Sequence, residues 1–155
     1  MGLLTKIREN KESPVYINAG GSYTDVADIR SLKRAKVAFT NGAADAVAFA
    51  WQNPENNKIL VVRVVVDVTT AATLAATLNI GKSNDAITDA SDIMAAFPIN
   101  AIAIKDHLTV AAGIGKGGVH KLDENGGTTD YITGTIKAQN SATTVANIYI
   151  EYIEI

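Results

Sequence analysis

The chain has no cysteine, two histidines, three prolines and one tryptophan in 155 residues. Without cysteine there is no disulfide framework, no thiolate nucleophile and no zinc–thiolate site, so redox logic does not fix a compartment. Charge is scarce as well. Asp, Glu, Lys and Arg make up 19% of the residues, and 14 basic against 16 acidic side chains leave a net charge of −2. The usual charged share of a soluble domain is about one quarter. A balance this close to neutral gives no global field that favours nucleic acid. No apolar run approaches the roughly 18 residues of a membrane span. The N-terminal stretch MGLLTKIRENKESP lacks the apolar h-region of a signal peptide, so synthesis in a cytoplasm without export by such a signal is the expectation.

Apolar residues are plentiful, at 47%, and Ala, Thr, Val and Ile dominate. This is enough to build one domain with a sizeable core, and too much for a disordered chain. The low charged share suits a β-protein that covers part of its surface by assembly. The strongest local signal is the ladder KILVVRVVVDVTT. Leu60, Val62, Val64, Val66 and Val68 share one face at period two and are the expected core. Val61, Arg63, Val65, Asp67 and Thr69 form a mixed opposite face. β-branched side chains fit a pleated strand and are costly in a helix.

Further strands are expected in PVYINAG, on both sides of Asn41-Gly42, in ATLAATLNIG with Leu74, Ala76, Leu78 and Ile80 on one face, in HLTVAAGIG, in DYITGTIKAQ and in TTVANIYIEYIEI. Short strands with Gly, Asn and Thr turns between them are the signature of a sandwich or barrel, and an all-β, single-domain antiparallel sandwich is the expectation. Residues 1–35 are less periodic and read as an extended N-terminal arm, with the sandwich over 36–155. SNDAITDASDIMAAFP departs from the pattern. Ile87, Ala90, Met94 and Phe97 have helical spacing, with Ser83 or Asn84 as cap and Pro98 as stop, so it reads as a short helix or as a long loop crossing the sandwich edge.

No catalytic motif stands out. GIGKGGVHK lacks the Ser or Thr that a P-loop needs after Lys116, and it reads as a flexible turn. His107 and His120 are too few for a zinc site and are expected to be solvated or hydrogen-bonded. Asp85, Asp89 and Asp92 lack EF-hand spacing and read as a helix-face charge stripe or an N-terminal dipole effect. Glu151 and Glu154 fall on opposite strand faces, which makes them a poor general acid/base pair. No serine lies in G-x-S-x-G. Trp51 reads as core or rim packing rather than a sugar platform. The basic cluster Arg30, Lys33, Arg34 and Lys36 has no interleaved aromatics, which argues against single-stranded nucleic acid. It reads as a solvated run or as a contact for an acidic protein surface.

The stretch AFAWQNPENNKILVVRVVVDVTTAATLAATLNIGKS resembles the middle of small virion proteins of tailed bacteriophages, and DYITGTIKAQNSATTVANIYIEYIEI resembles their closing strands. The resemblance implies a jelly-roll capsid decoration (cement) or head-fibre protein that is not an enzyme and carries no cofactor or metal. Its implied partners are the major capsid protein and copies of itself, with a trimer favoured, and neither nucleic acid nor membrane. Its implied place is the capsid surface. A fibre-type module binding carbohydrate or a host receptor is the rival reading, and a small β-fold hydrolase or isomerase is a further one.

Overall fold

The computed structural model describes residues 32–111 and 114–155. Among these, nine strands form two antiparallel sheets, and there is no helix: β1 (Lys33–Ala38), β2 (Val47–Gln52), β3 (Ile59–Thr70), β4 (Thr77–Ser83), β5 (Met94–Pro98), β6 (Ala103–Asp106), β7 (His120–Leu122), β8 (Tyr131–Lys137) and β9 (Val145–Glu154). The first sheet runs β1-β9-β3-β6, with β7 also paired to β3, and the second runs β2-β8-β4-β5.

This order follows from folding the chain in half. β1 pairs with β9, β2 with β8, β3 with both β6 and β7, and β4 with β5, all antiparallel. The doubled ribbon then rolls up, which brings β9 against β3 and β8 against β4. A rolled double ribbon in two packed sheets is a jelly roll. Between the layers lies one apolar core. The first sheet contributes Ile59, Val61, Val64, Val66, Val68, Ile148 and Ile150. The second contributes Phe49, Leu78, Ile80, Phe97, Ile132 and Ile136. The expected strand in PVYINAG, and most of the expected arm, lie outside the described residues. Lys33, Arg34 and Ala35, at the end of the arm segment, form the first half of β1.

β3 corrects the simple two-face reading of its ladder. Val64, Val66 and Val68 are wholly buried as expected, but so are Ile59 and Val61, while Leu60 and Val62 are half-exposed. A register shift between Val61 and Arg63 against β9 inserts one extra residue. Such a bulge exchanges the two faces along the strand.

The segment before β5 is a loop, not a helix, and Ile87 in it is 77% exposed. Its helical spacing has another cause. Leu78 and Ile80, two residues apart on β4, face Phe97 and Met94, three residues apart on β5. The extra residue is absorbed around Ala96, which adopts φ 49° and whose N–H donates to Asn79 Oδ1 at 2.8 Å. A bulged strand therefore buries residues at i and i+3, as a helix would. The described residues of HLTVAAGIG also form no strand. His107 to Thr109 form a turn closed by the Val110 N–H to Asp106 O bond at 3.0 Å. Leu74 is exposed and precedes β4, whereas Ala76, Leu78 and Ile80 are buried as expected.

The polar turn ahead of β3 is organised by Asn53, which is fully buried. Its amide donates to Asn57 O at 3.0 Å and Asp123 O at 2.7 Å, and its Oδ1 accepts from Glu55 N at 3.0 Å. Bonds within the turn and one to the distant Asp123 carbonyl satisfy this buried amide, which ties the turn to the segment after β7.

Candidate interaction surface

The outer face of the second sheet is covered by its own chain. The loop between β4 and β5 lies across it. Thr133 Oγ1 donates to Thr88 O at 2.8 Å, Asn79 Nδ2 to Asp89 Oδ1 at 3.1 Å and Lys82 N to Asp92 Oδ1 at 2.7 Å. A Cβ on Gly81 would collide with Asp92 and Ala90, so the loop needs glycine there. Asp85 accepts from Ile87 N at 2.9 Å and Thr88 N at 2.6 Å, and these bonds hold its carboxyl below the usual carboxylate range. The acidic trio is thus loop scaffolding rather than a helix stripe. Among the described residues, no three His, Asp or Glu side chains stand close enough to share a metal ion.

The outer face of the first sheet is different. The register aligns Arg34 with Glu151, and Glu151 with Arg63. Arg34 Nε lies 2.9 Å from Glu151 Oε1, Arg63 Nη1 lies 3.9 Å from Glu151 Oε2, and Arg63 Nε lies 2.7 Å from Asp106 Oδ2. Charges of alternating sign thus run across all four strands, β1-β9-β3-β6. Burial pushes the Asp106 carboxyl up, but the Leu108 N–H and the Arg63 guanidinium outweigh it and hold the group below its ordinary value. These pairs join exposed guanidinium groups to largely covered carboxylates, and they bind the four strands in one register.

Beside this ladder lies an apolar row. Tyr149 pairs with Lys36 on one side and Val65 on the other, and the Lys36 ammonium stands 5.8 Å over the Tyr149 ring. One step along, Ile104 faces Asp67 across β3–β6. Ile104 is 72% exposed, Ile102 73% and Leu108 50%, all within or next to the short strand β6. Val145, at the start of β9, is also exposed. Where β6 approaches β5, a cavity of about 250 Å³ opens, lined by Phe97, Pro98, Ala103, Val110 and Ile114 with Lys105. Grouped apolar side chains on a face that the described residues leave open mark an interaction surface, whereas a single exposed leucine does not.

The basic cluster is only partly on this face. Arg30 lies outside the described residues. Arg34 and Lys36 project outward from β1, whereas Lys33 turns to the end of the sandwich. There Lys33 Nζ bonds Glu154 and, at 2.7 Å, Glu55, and these two carboxylates raise its pKa. Tyr152 Oη donates to the same Glu55 at 3.1 Å. Lys33, Arg34 and Lys36 therefore each have a partner within the chain. Trp51 is half-buried and packs at 5.2 Å against Tyr152, which is rim packing and not an open platform. Val65 lies on the outer face as the alternation predicts, but Val61, expected beside it, is in the core. Sequence reasoning missed Ile102 and Ile104, which fell in a segment with no clear period, and Leu108, which was placed in an expected strand and lies in a turn. For Tyr149, the alternation of β9 between buried Ile148 and Ile150 was an available signal.

No protein-family model and no curated protein matches the sequence. A solved structure to which the chain is similar is that of the acidic stable capsid of Helicobacter pylori bacteriophage KHP30, at 19% identity, over 81% of this chain and 88% of that one, with a TM-score of 0.36. At that distance the function has to be argued from the chain's own surface.

Proposed function

We propose that this protein is a non-enzymatic structural protein of a phage virion, which decorates and reinforces the capsid exterior as a homo-oligomer. The observation that carries this reading is the outer face of the first sheet, which the described residues leave open, with exposed Ile104, Val145 and Tyr149 on it and exposed Ile102 and Leu108 next to β6, beside a charge ladder already paired within the chain. Jelly rolls serve viral capsids and lectins alike, so the fold alone does not choose between them. A rigid sandwich with one open face of mixed apolar and charged side chains suits neighbour bridging, where many weak contacts on a shell add up through multivalency. The resemblance of its strand and turn phrasing to small virion proteins points the same way. In this reading residues 1–35 act as an arm that reaches a neighbouring subunit or the capsid, and Arg30, Lys33, Arg34 and Lys36 lie along or beside the contact.

Two measurements test it. In sedimentation velocity at micromolar concentration, the full chain is expected to run as an oligomer, with a trimer favoured. The double variant Ile104→Asp, Tyr149→Asp is expected to run as monomer with its melting temperature within a few degrees of the parent, since both side chains already face water. A monomeric parent sinks the homo-oligomer. In co-sedimentation with undecorated phage shells, the full chain is expected to pellet, and deletion of Met1 to Glu12 is expected to weaken binding while leaving the sandwich folded. The basic residues add a salt-sensitive part, because exposed charges are screened beyond about 8–10 Å at ordinary ionic strength. Equal binding by both chains removes the arm from the mechanism. A full chain that binds no shell but does bind a glycan array moves the reading to a fibre-type module.

A further inference from the structure

β3 is flanked on one side by two short strands in succession, and there is a gap between them. β7 covers Ile59 to Val61, and β6 covers Val65 to Val68. The backbone around Val64 would face that gap with its polar groups unpaired. His107, at the end of β6, fills it. The His107 N–H donates to Val64 O at 3.0 Å, and the Val64 N–H donates to His107 Nδ1 at 3.0 Å. The other ring nitrogen, Nε2, lies 3.1 Å from Gly118 O, just ahead of β7. Since Nδ1 accepts, the proton sits on Nε2 and is donated to Gly118 O. One neutral imidazole, whose side chain has no solvent exposure, thus ties β3, β6 and the entry to β7 together.

The second histidine sits against the first. His120, opposite Val61 in β7, is buried, with the two ring centroids 5.6 Å apart. Its Nε2 has no hydrogen-bond partner among the described residues. Burial first, and then the neighbouring His107 and Lys82, push this imidazole below the ordinary histidine value, while Asp92 pushes it up.

We propose that His107 and His120 form an acid-sensitive latch that holds the β6–β7 edge of the first sheet on β3 and releases it when the pair takes up protons. A proton arriving at His107 Nδ1 sets two donors face to face, because the Val64 N–H already points there. Asp106 Oδ1 lies 3.6 Å from the same Nδ1 and offers the protonated ring another partner. Asp106 is itself held by Arg63, which also faces Glu151, so that neighbourhood carries two carboxylates and one guanidinium. A second proton on His120 would put two cations side by side within a buried site, with Asp106 beside one and Asp92 near the other to oppose them and Lys82 to add to the repulsion. The sign follows from His120. Its folded-state pKa is depressed, so the stability it contributes is full above the unfolded histidine value of about 6.5 and is lost as pH falls toward the folded value.

The experiment is amide hydrogen exchange on the full chain at pH 7.5, 6.0 and 5.0, with rates corrected for intrinsic exchange. Protection of Val64 and of the backbone of β7 is expected to fall by about tenfold or more over that range, while β4 and β8 keep theirs. In His107→Asn, combined with His120→Phe, the Asn Oδ1 can still accept from Val64, and neither position titrates. That variant is expected to keep protection level with pH. Unchanged protection of Val64 in the parent at pH 5.0, or the same loss in the double variant, overturns the latch. So does a loss spread evenly over both sheets. If the variant fails to fold, nitrogen chemical shifts of the parent's imidazoles decide. Rings that stay neutral through the pH range in which Val64 loses protection overturn the proposal, and protonation of His107 in that range upholds it.

Discussion

Val64→Asp is expected to lower the unfolding free energy by about 3–5 kcal/mol, enough to unfold a domain of ordinary stability at least in part. Val64 has no solvent exposure and projects into the layer between the sheets. A carboxylate there would have to stay charged without a partner or take up a proton, and both cost free energy. The matched control is the adjacent position. Arg63→Ser removes an exposed side chain and its ion pairs to Asp106 and Glu151, and is expected to cost clearly less than Val64→Asp. Urea unfolding of the three proteins measures the ranking. If Arg63→Ser proves the more damaging, the two faces of β3 beyond the bulge are assigned the wrong way round.

Gly134→Ala should be nearly as damaging, although alanine is ordinarily the better strand residue. Gly134 faces Phe49 across β2–β8. A Cβ added to it would lie within the van der Waals envelope of Cδ1, Cε1 and Cζ of the Phe49 ring. That ring is buried in the core and has little room to retreat. Overpacking of this kind costs about 1–3 kcal/mol, and this site should fall at the upper end. Phe49→Leu alone should destabilise by leaving space. In the double variant the new methyl and the shorter side chain should partly compensate, so that thermal melts give a sum smaller than the two single effects. Strict additivity would mean that the ring and the glycine do not share one space.

Much of this architecture can be read from the alternation of apolar residues. Ile148 and Ile150 in β9, Ile132 and Ile136 in β8 and the upper half of β3 are buried where period two puts them. The failures have a common cause. The bulge between Val61 and Arg63 exchanges faces within an unbroken run of β-branched residues, and the bulge at Ala96 gives a strand the apolar spacing of a helix. A bulge is set by what the partner strand presents, and local composition does not carry that information. The same holds for the surfaces. Basic residues could be counted in sequence, but their intrachain partners Glu55, Glu151 and Glu154 became visible only with the register. His107 and His120 meet because β3 has a gap between two short strands, a long-range fact that thirteen residues of sequence separation do not reveal.

The doubled ribbon also sets a timetable. β9 lies between β1 and β3 in the first sheet, yet it leaves the ribosome after both of them. Until β9 is made, β1 has no neighbour to pair with, and β3 keeps one bare edge, since the earlier strands β6 and β7 reach only its other side. The nascent polypeptide therefore carries unpaired strand edges for as long as it takes to add some 75 residues, which at about 5–20 residues per second is several seconds. The face that bears Tyr149 and Ile104 does not exist in that interval. Any lattice built on that face is assembled from finished molecules, and during synthesis the exposed hazard is the bare edge of β3.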